Sequence, residues 1–386
     1  MQTNRKPATL SAGNVPNSRP VLQFCSTLII ALGLALPAWG AGSFTVTNLV
    51  SDDQAAHPAV LGDPNLVNAW GISRTGTSPF WVSANGTGVS TLYRVNPVTG
   101  VPSIAPLVVS IPGVGNLTGQ VAAGVAGSFN GDNFLFVSED GTVSGWRGAL
   151  GTLAETLVSG SPDNVYKGSA FQNLLGNGYL YAANFRSGKI DVYKGNGAAP
   201  DLAGSFVDPA IPAGYAPFNI QDIGGKLYVT YALQNATGDE DVPGLGHGFV
   251  SVFDDQGNFI SRVGSQGTLD SPWGLALAPA SFGAYAGDLL VGNFGDGTIN
   301  VFDLATNTFL AQLLATDGNP LSIDGLWALI PGSGAGNGGS SQAIYFSAGP
   351  DGESHGLFGV IAAPEPATLV LFGASLLALA LARRKK

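Results

Sequence analysis

The sequence has very few sulfur-containing and charged residues. Its 386 residues include one cysteine and one methionine, and only 11% are charged. A single cysteine excludes an internal disulfide framework, a multi-cysteine zinc site and an iron–sulfur cluster. The net charge of −10 disfavours a nucleic-acid surface, which needs clustered lysine and arginine. We therefore expect no nucleic-acid partner.

The motifs of common catalytic sites are also missing. The sequence has no G-x-S-x-G, no phosphate-binding P-loop and no H-E-x-x-H, so no catalytic residue is assigned. Two of the three histidines, His247 and His355, stand in the similar phrases HGFVSV and HGLFGV. A zinc or general-base role for this pair would require the two side chains to converge.

Glycine is the residue that the sequence has in excess, with 56 glycines beside 24 prolines. Glycine at this level weakens long helices, and it shows no three-residue period, which excludes collagen. Ample apolar content with little charge argues against intrinsic disorder. Turn-forming residues between short apolar runs therefore predict a fold of many short β-strands.

Residues 1–40 have the pattern of a signal peptide. Basic residues precede an apolar run from Val21 to Leu36, and small residues follow. Ala38 and Gly40 occupy the positions that a signal peptidase reads, which places cleavage before Ala41. The alternative is an uncleaved anchor helix, although the run is short for a membrane span.

Residues 362–386 form a second segment outside the fold. Pro364, Glu365 and Pro366 precede sixteen uncharged residues, and the chain ends in Arg383, Arg384 and two lysines. This order resembles the PEP-CTERM sorting signal of Gram-negative bacteria, although Ala363 replaces the usual valine. The resemblance implies a transient transmembrane helix processed by an exosortase. The protein would then be exported across the inner membrane to the outer surface or extracellular matrix, whereas the alternative is a permanent tail anchor.

Between these two segments one phrase of about 50 residues recurs six times. Copies of its third strand end at Tyr93, Trp146, Tyr193, Phe253, Phe302 and Val360. Six units of four short strands predict an all-β, six-bladed β-propeller over residues 41–361. The sixth copy lacks a fourth strand, so the segment from Phe44 is predicted to supply it and close the ring. A β-helix or a pair of sandwiches is the alternative.

The repeat unit resembles NHL-type propeller blades. The chain as a whole resembles a family of PEP-CTERM-tagged propellers, and the phrase DPNLVNAWGIS, from Asp63, with SPFWVSANGTGVSTLY after it carries this likeness. The resemblance implies an exported propeller and supplies no biochemical role.

Loops between the second and third strands of each blade line one mouth of a propeller channel. Their oxygen-bearing side chains include Asn85, Asp140, Asn184, Asn293, Asp296 and Asp351. Such oxygens are ligands for calcium, and calcium is the cofactor that this pattern allows. Asparagine and aspartate beside glycine also stabilise ordinary turns, which is the alternative interpretation. The acidic run Asp239, Glu240 and Asp241 in a long loop of the fourth repeat is interpreted as a solvated loop tip.

These features favour a binding or matrix-associated protein whose ligand is a polysaccharide or another protein. A metal-dependent hydrolase or lactonase and a purely structural matrix component are the alternatives. Without the two terminal segments the body has nine basic and 25 acidic residues, a net charge near −16. Membrane contact is expected only through the C-terminal helix, because this charge repels anionic lipids.

Overall fold

The computed structural model describes residues 43–114 and 116–363. The predicted signal peptide, with Ala38, Gly40 and Ala41, lies outside the described residues, as does the tail from Pro364 to the final basic residues. Within the described ranges, no helix combines the length and apolar character needed to cross a membrane.

Six antiparallel sheets follow one another along the chain and form the six predicted blades. The N-terminal strands are β1 (Ser43–Ser51) and β2 (Leu61–Gly62). Blade 1 contains β3 (Ala69–Ser73), β4 (Phe80–Ala84), β5 (Val89–Val95), β6 (Pro102–Ile104) and β7 (Val109–Ser110). Blade 2 contains β8 (Leu117–Ala122), β9 (Phe134–Ser138), β10 (Val143–Trp146) and β11 (Glu155–Val158). Blade 3 contains β12 (Tyr166–Leu174), β13 (Asn177–Asn184) and β14 (Lys189–Lys194).

The second half of the ring repeats this plan. Blade 4 contains β15 (Tyr215–Ile223), β16 (Lys226–Leu233), β17 (Gly248–Phe253) and β18 (Phe259–Ser265). Blade 5 contains β19 (Pro272–Leu277), β20 (Leu289–Asn293), β21 (Ile299–Asp303) and β22 (Thr308–Gln312), and the short β23 (Leu314–Ala315) follows it. Blade 6 contains β24 (Leu326–Pro331), β25 (Ala343–Ala348) and β26 (Leu357–Ala362). The helices in the described residues are short, at Asn85–Thr87, Phe129–Gly131, Gly148–Leu150, Ala280–Tyr285 and Pro350–Glu353.

The first strand of each blade lies innermost, packed on the first strands of both neighbouring blades, so the six close a ring around the channel. Glycine early in these strands permits the close approach. A Cβ atom on Gly71 would lie 2.7 Å from the carbonyl oxygen of Thr118, and one on Gly274 would lie 2.6 Å from that of Trp327. Any larger residue would push the innermost strands apart.

Blade 3 has three strands where the repeat predicts four. The segment that follows β14 contains Pro200, Pro209 and Pro212. Proline lacks the backbone N–H that a ladder requires and is tolerated mainly at edges. This composition explains why the segment forms no fourth strand.

The N-terminal strand closes the ring, as the sequence predicts. β1 pairs antiparallel with β26, from Thr45 opposite Ala362 to Ser51 opposite Leu357. Phe44 is 2% exposed, and its ring centroid lies 4.6 Å from that of Phe282. The closure covers the edge of β26, which an open ring would expose.

Two histidine–carboxylate pairs reinforce this closure. His355 Nδ1 lies 3.1 Å from Asp52 Oδ2, and His57 Nε2 lies 2.8 Å from Asp351 Oδ2. Each pair joins the N-terminal segment to the end of blade 6. The hydrogen bond and charge of Asp52 raise the pKa of His355 above its usual value.

We expect His355 to make the closure weaker as the pH rises. A histidine whose pKa is raised on folding adds stability below its unfolded pKa, and this contribution disappears as the pH passes the folded value. Melting temperatures measured between about pH 6 and pH 8 should therefore fall more for the wild type than for His355→Gln or Asp52→Asn. Equal slopes for all three proteins would contradict this role.

Candidate functional site

The innermost strands begin at one end of the channel, and residues in the left-handed region of backbone space stand there. Asn68, Asn116, Ser271 and Gly325 directly precede the innermost strands of four blades, with φ between 46° and 64°. Non-glycine residues in this region are strained and cluster at functional sites. We name this end the acidic mouth and define it by Asn68, Glu139, Lys167, Glu240, Asp241 and Glu353.

Lys167 stands at the centre of the acidic mouth, in β12 of blade 3, and its side chain is 0% exposed. Its ammonium donates hydrogen bonds to Glu139 Oε1, just after β9, and to Glu240 Oε2 at 2.9 Å, in the loop between β16 and β17. The same Nζ lies 5.3 Å from the ring centroid of Trp70 in blade 1. One ammonium therefore links four blades.

Burial and the neighbouring charges shift the pKa values of the groups in this cluster. Burial alone would lower the pKa of Lys167, but the carboxylates of Glu139 and Glu240 outweigh it, and the pKa is raised. Burial raises the pKa of Glu139, against the opposing effect of the Lys167 ammonium. Burial also raises the pKa of Asp241. The mouth thus concentrates carboxyl groups that are costly to ionise around one fixed positive charge.

Glu353 brings a fourth carboxyl group to the mouth from blade 6. Its backbone is left-handed, with φ of 68°, and Asn68 Nδ2 donates to its Oε1 at 3.3 Å. Burial, reinforced by the charge of Glu240, raises the pKa of Glu353 to about 7. Its charge therefore changes in the neutral pH range, unlike that of an ordinary glutamate.

Replacing Glu353 with glutamine should stabilise the protein at neutral and higher pH. A carboxyl whose pKa is raised on folding makes the protein less stable as the pH climbs from the usual glutamate pKa of 4.5 to about 7. Glutamine does not ionise and avoids this loss. Chemical denaturation at about pH 8 should therefore give Glu353→Gln a free energy of unfolding about 1–3 kcal/mol above that of the wild type. The gain should vanish below pH 4.5. Asp201→Asn, at an exposed surface pair, is the matched control and should show no such gain.

The blade 4 loop, residues 234–247, reaches over the mouth. Asp239 pairs with Arg186 of blade 3 at 3.4 Å, while Glu240 contacts Lys167. Asp241 is only partly exposed, and its Oδ2 is buried. Asp239 and Glu240 remain partly exposed, as expected for a solvated tip, but their pairs with Arg186 and Lys167 hold the acidic run against the channel.

Several buried polar atoms around the mouth have no hydrogen-bond partner among the described residues. They include Asn85 Nδ2, Asp241 Oδ2, Ser271 Oγ and Trp327 Nε1. Buried polar atoms in folded proteins are nearly always paired with protein or water. All four atoms are shielded from solvent, and Asn85 and Ser271 lie close enough to Glu139 and Asp241 to lower the pKa of those two acids.

Aromatic rings close the channel beneath the mouth. The Trp327 ring stacks on Trp70 at 3.5 Å and on Phe294 at 3.9 Å, and Trp273 meets Trp327 edge-on at 5.7 Å. These three tryptophans are 1–4% exposed. They are buried in the core, so polar groups above them carry any contact with a ligand.

Of the six side chains predicted at the channel mouth, only Asn85 joins this cluster, by accepting a hydrogen bond from Asn68 at 3.2 Å. Asp140 accepts from the backbone of Val114 and Thr142. The remaining four are engaged inside their own blades or at the ring closure: Asn184 with Asp191, Asn293 with Asp296, and Asp351 with His57. Hydrogen bonding therefore joins only Asn85 of these six to the acidic mouth, and a ligand role for the other five stays a prediction.

The described residues also contain no group of three or more His, Cys, Asp or Glu side chains arranged to hold a metal ion. His247 and His355 do not meet, since His247 bonds the Val242 carbonyl and His355 bonds Asp52.

The C-terminal segment matches the family model described as the PEP-CTERM protein-sorting motif, over residues 362–385. This match confirms the sorting motif predicted around Pro364, Glu365 and Pro366, with Arg383 and Arg384 at its end. The motif implies export and sorting by an exosortase.

The body of the chain has curated relatives in Acanthamoeba polyphaga mimivirus. Uncharacterized protein R648 is 34% identical over 346 residues, which cover 84% of this chain and 82% of the viral protein. Uncharacterized protein L690 is also 34% identical over 346 residues, with coverage of 84% and 87%. The chain belongs to the same family as these viral proteins. Because the alignment covers most of both chains, membership of the R648 family concerns the propeller and not a short motif.

Solved structures align with this R648 family member over most of its length. An alpha-L-arabinanase of Penicillium chrysogenum complexed with arabinobiose aligns with a TM-score of 0.50 and 12% identity, covering 77% of this chain and 93% of the arabinanase. A streptogramin B lyase aligns with a TM-score of 0.46 and 10% identity, covering 83% and 97%. At this identity the arabinanase match shows a common fold and nothing about activity.

Proposed function

We propose that this chain is an exported polysaccharide-binding propeller that holds a neutral or amine-bearing sugar chain at the acidic mouth. One observation carries the proposal: Glu139, Glu240, Asp241 and Glu353 gather around the single buried ammonium of Lys167. Because blades 2, 3, 4 and 6 supply these residues, the cluster exists only in the closed ring.

The chemistry of the mouth selects the class of sugar. Carboxylates such as that of the exposed Glu240 accept hydrogen bonds from the hydroxyl and amine groups of sugars. An acidic polysaccharide would meet these carboxylates and a body charge near −16. Neutral and amine-bearing sugars are therefore the favoured ligands.

Export and ligand binding together suggest where the protein works. A signal peptidase would remove residues 1–40, and an exosortase would process the tail at the membrane. The released propeller would then be retained at the outer surface or in the extracellular matrix by its polysaccharide ligand. A purely structural matrix role is the alternative that the experiment below separates from polysaccharide binding.

We propose no resident calcium at the mouth. Calcium takes about 6–8 oxygen ligands, and two of the carboxylates at the mouth, Glu139 and Glu240, already bond the Lys167 ammonium. A hydrolase remains the second candidate because a carboxyl with a pKa of about 7, as in Glu353, suits general acid catalysis. Release of reducing ends from a bound polysaccharide, abolished in Glu353→Gln and insensitive to chelator, would support that candidate.

A glycan array probed with the full chain tests the binding proposal. We expect retention of neutral or amine-bearing polysaccharides, with affinity reduced about tenfold in Glu240→Gln, which removes one charged acceptor at an exposed position. Asp201→Asn removes the same charge from a distant surface and should bind normally. Retention of acidic polysaccharides alone would contradict the proposal, and silence across the array would favour the structural role.

A further inference from the structure

The channel contains a second space on the other side of the aromatic rings. This far cavity has a volume of about 230 Å³, and the innermost strands of all six blades contribute to its wall. Sites for drug-sized ligands usually occupy about 300–1,000 Å³, so this cavity suits a smaller molecule. Polar residues that line it include Ser73, Arg74, Gln120, Ser169 and Gln221.

Two hydroxyl groups in the far cavity are buried without a partner among the described residues. Ser73 is 6% exposed and Ser169 is 8% exposed, and the Oγ atom of each makes no hydrogen bond. They belong to β3 and β12, which stand in different blades. Two such atoms lining one cavity indicate a site for a molecule with hydroxyl groups.

Arg74 gives the far cavity its charge. It is one of nine basic residues in the body, and it forms no salt bridge with any described carboxylate. Nε and Nη2 donate to the Pro331 carbonyl, at 3.2 and 2.7 Å, and Nη1 donates to Thr75 at 3.4 Å. A guanidinium has five N–H donors, so donors on both Nη atoms remain for a ligand.

The acidic side chain in the wall, Asp222, forms no salt bridge with Arg74 among the described residues. Asp222 also lines the cavity, but its Oδ1 accepts the backbone N–H of Gly225 at 2.9 Å in its own turn. Burial lowers the pKa of Arg74 with no carboxylate opposing it. An anionic group from a ligand would supply the missing countercharge.

We propose that the far cavity binds a small hydroxylated carboxylate the size of a single sugar acid. Arg74 pairs with the carboxylate through its remaining donors, and Ser73 and Ser169 bond the hydroxyl groups. The ligand is a free small molecule because the volume of about 230 Å³ is enough for a single sugar acid. This site differs from the acidic mouth in position, charge and ligand.

Calorimetric titration of the full chain with glucuronate, and with glucose as the neutral match, tests this proposal. We expect glucuronate to bind at least about tenfold more tightly than glucose, since glucose lacks the charged hydrogen bond to Arg74. Arg74→Gln should remove this difference, and Ser169→Ala should weaken glucuronate binding while preserving the preference for the acid. Glu240→Gln, at the mouth, should bind glucuronate as the wild type does.

The outcomes separate this site from the polysaccharide site. No binding of glucuronate, equal binding of glucose, or full binding by a folded Arg74→Gln variant would each overturn the proposal. If Arg74→Gln fails to fold, unchanged glucuronate affinity in Ser169→Ala would overturn it instead. Loss of glucuronate binding in Glu240→Gln would also overturn it, because that result would place the acid at the mouth.

Discussion

Replacing Lys167 with methionine is expected to lower the free energy of unfolding by about 3–5 kcal/mol. Methionine keeps much of the apolar stem but leaves Glu139 buried without its positive partner. A buried carboxylate with no countercharge must either remain ionised at high cost or take up a proton. Urea denaturation of the two proteins at about pH 7 measures the difference.

Two further variants show whether the loss comes from the unpaired charge. Lys167→Met combined with Glu139→Gln should recover most of the stability, because the buried group is then neutral. Lys194→Met, at a surface pair with the exposed Asp201, should change stability by less than about 1 kcal/mol. Equal effects of Lys167→Met and Lys194→Met would show that the ammonium does not hold the blades together.

Truncation of Phe44 to alanine should also lower the free energy of unfolding, because it weakens the closure of the ring. Its ring packs on Phe282, and β1 covers the edge of β26. Loss of a buried phenylalanine costs about 3–5 kcal/mol, because a cavity replaces its contacts. Thermal and urea unfolding of Phe44→Ala and of Val46→Ala provide the comparison.

Val46 is the matched control because it lies on the same strand and is 40% exposed. Its truncation should change stability by no more than about 0.5 kcal/mol. If Phe44→Ala is as stable as Val46→Ala, β1 does not anchor the ring. Increased self-association of Phe44→Ala at unchanged monomer stability would show that β1 protects the edge without stabilising the fold.

The propeller fold was predictable because the sequence pattern that specifies each blade is local and is repeated along the chain. Each blade's strands lie within one copy of the repeat, so strand order follows from chain order. The closing strand from Phe44 was also predictable, because the sixth copy lacked a partner for its last strand. The three-stranded blade 3 was missed, although the prolines after β14 carried the signal.

The acidic mouth was much less predictable because its contacts join different blades. Lys167 lies 28 residues from Glu139 and 73 from Glu240. One signal was present: Lys167 precedes glycine at the start of its repeat, where Trp70 and Trp273 stand in theirs. Burying a lysine ammonium where other repeats have a core tryptophan costs free energy unless the ammonium is paired. The lysine at this position therefore predicts a buried acidic partner.

Neighbouring acids in one loop also differ in a way that residue type does not reveal. Glu139 bonds Lys167 at the mouth, whereas Asp140 caps its own turn through Thr142. Asp140 was predicted at the channel mouth, but the Asp140-Gly141 pair is also a turn signal. The direction of each side chain at the end of β9 determines whether Glu139 or Asp140 reaches the acidic mouth. That direction depends on the folded loop and cannot be inferred from residue type.

The measurement that tests the polysaccharide proposal most directly is amide hydrogen exchange of the full chain with and without a polysaccharide retained on the array. The account predicts added protection in the blade 4 loop (residues 234–247) and around residues 350–356, with no change at the outer strands β18 and β22. Protection confined to the outer strands, with the blade 4 loop unchanged, would contradict binding at the acidic mouth.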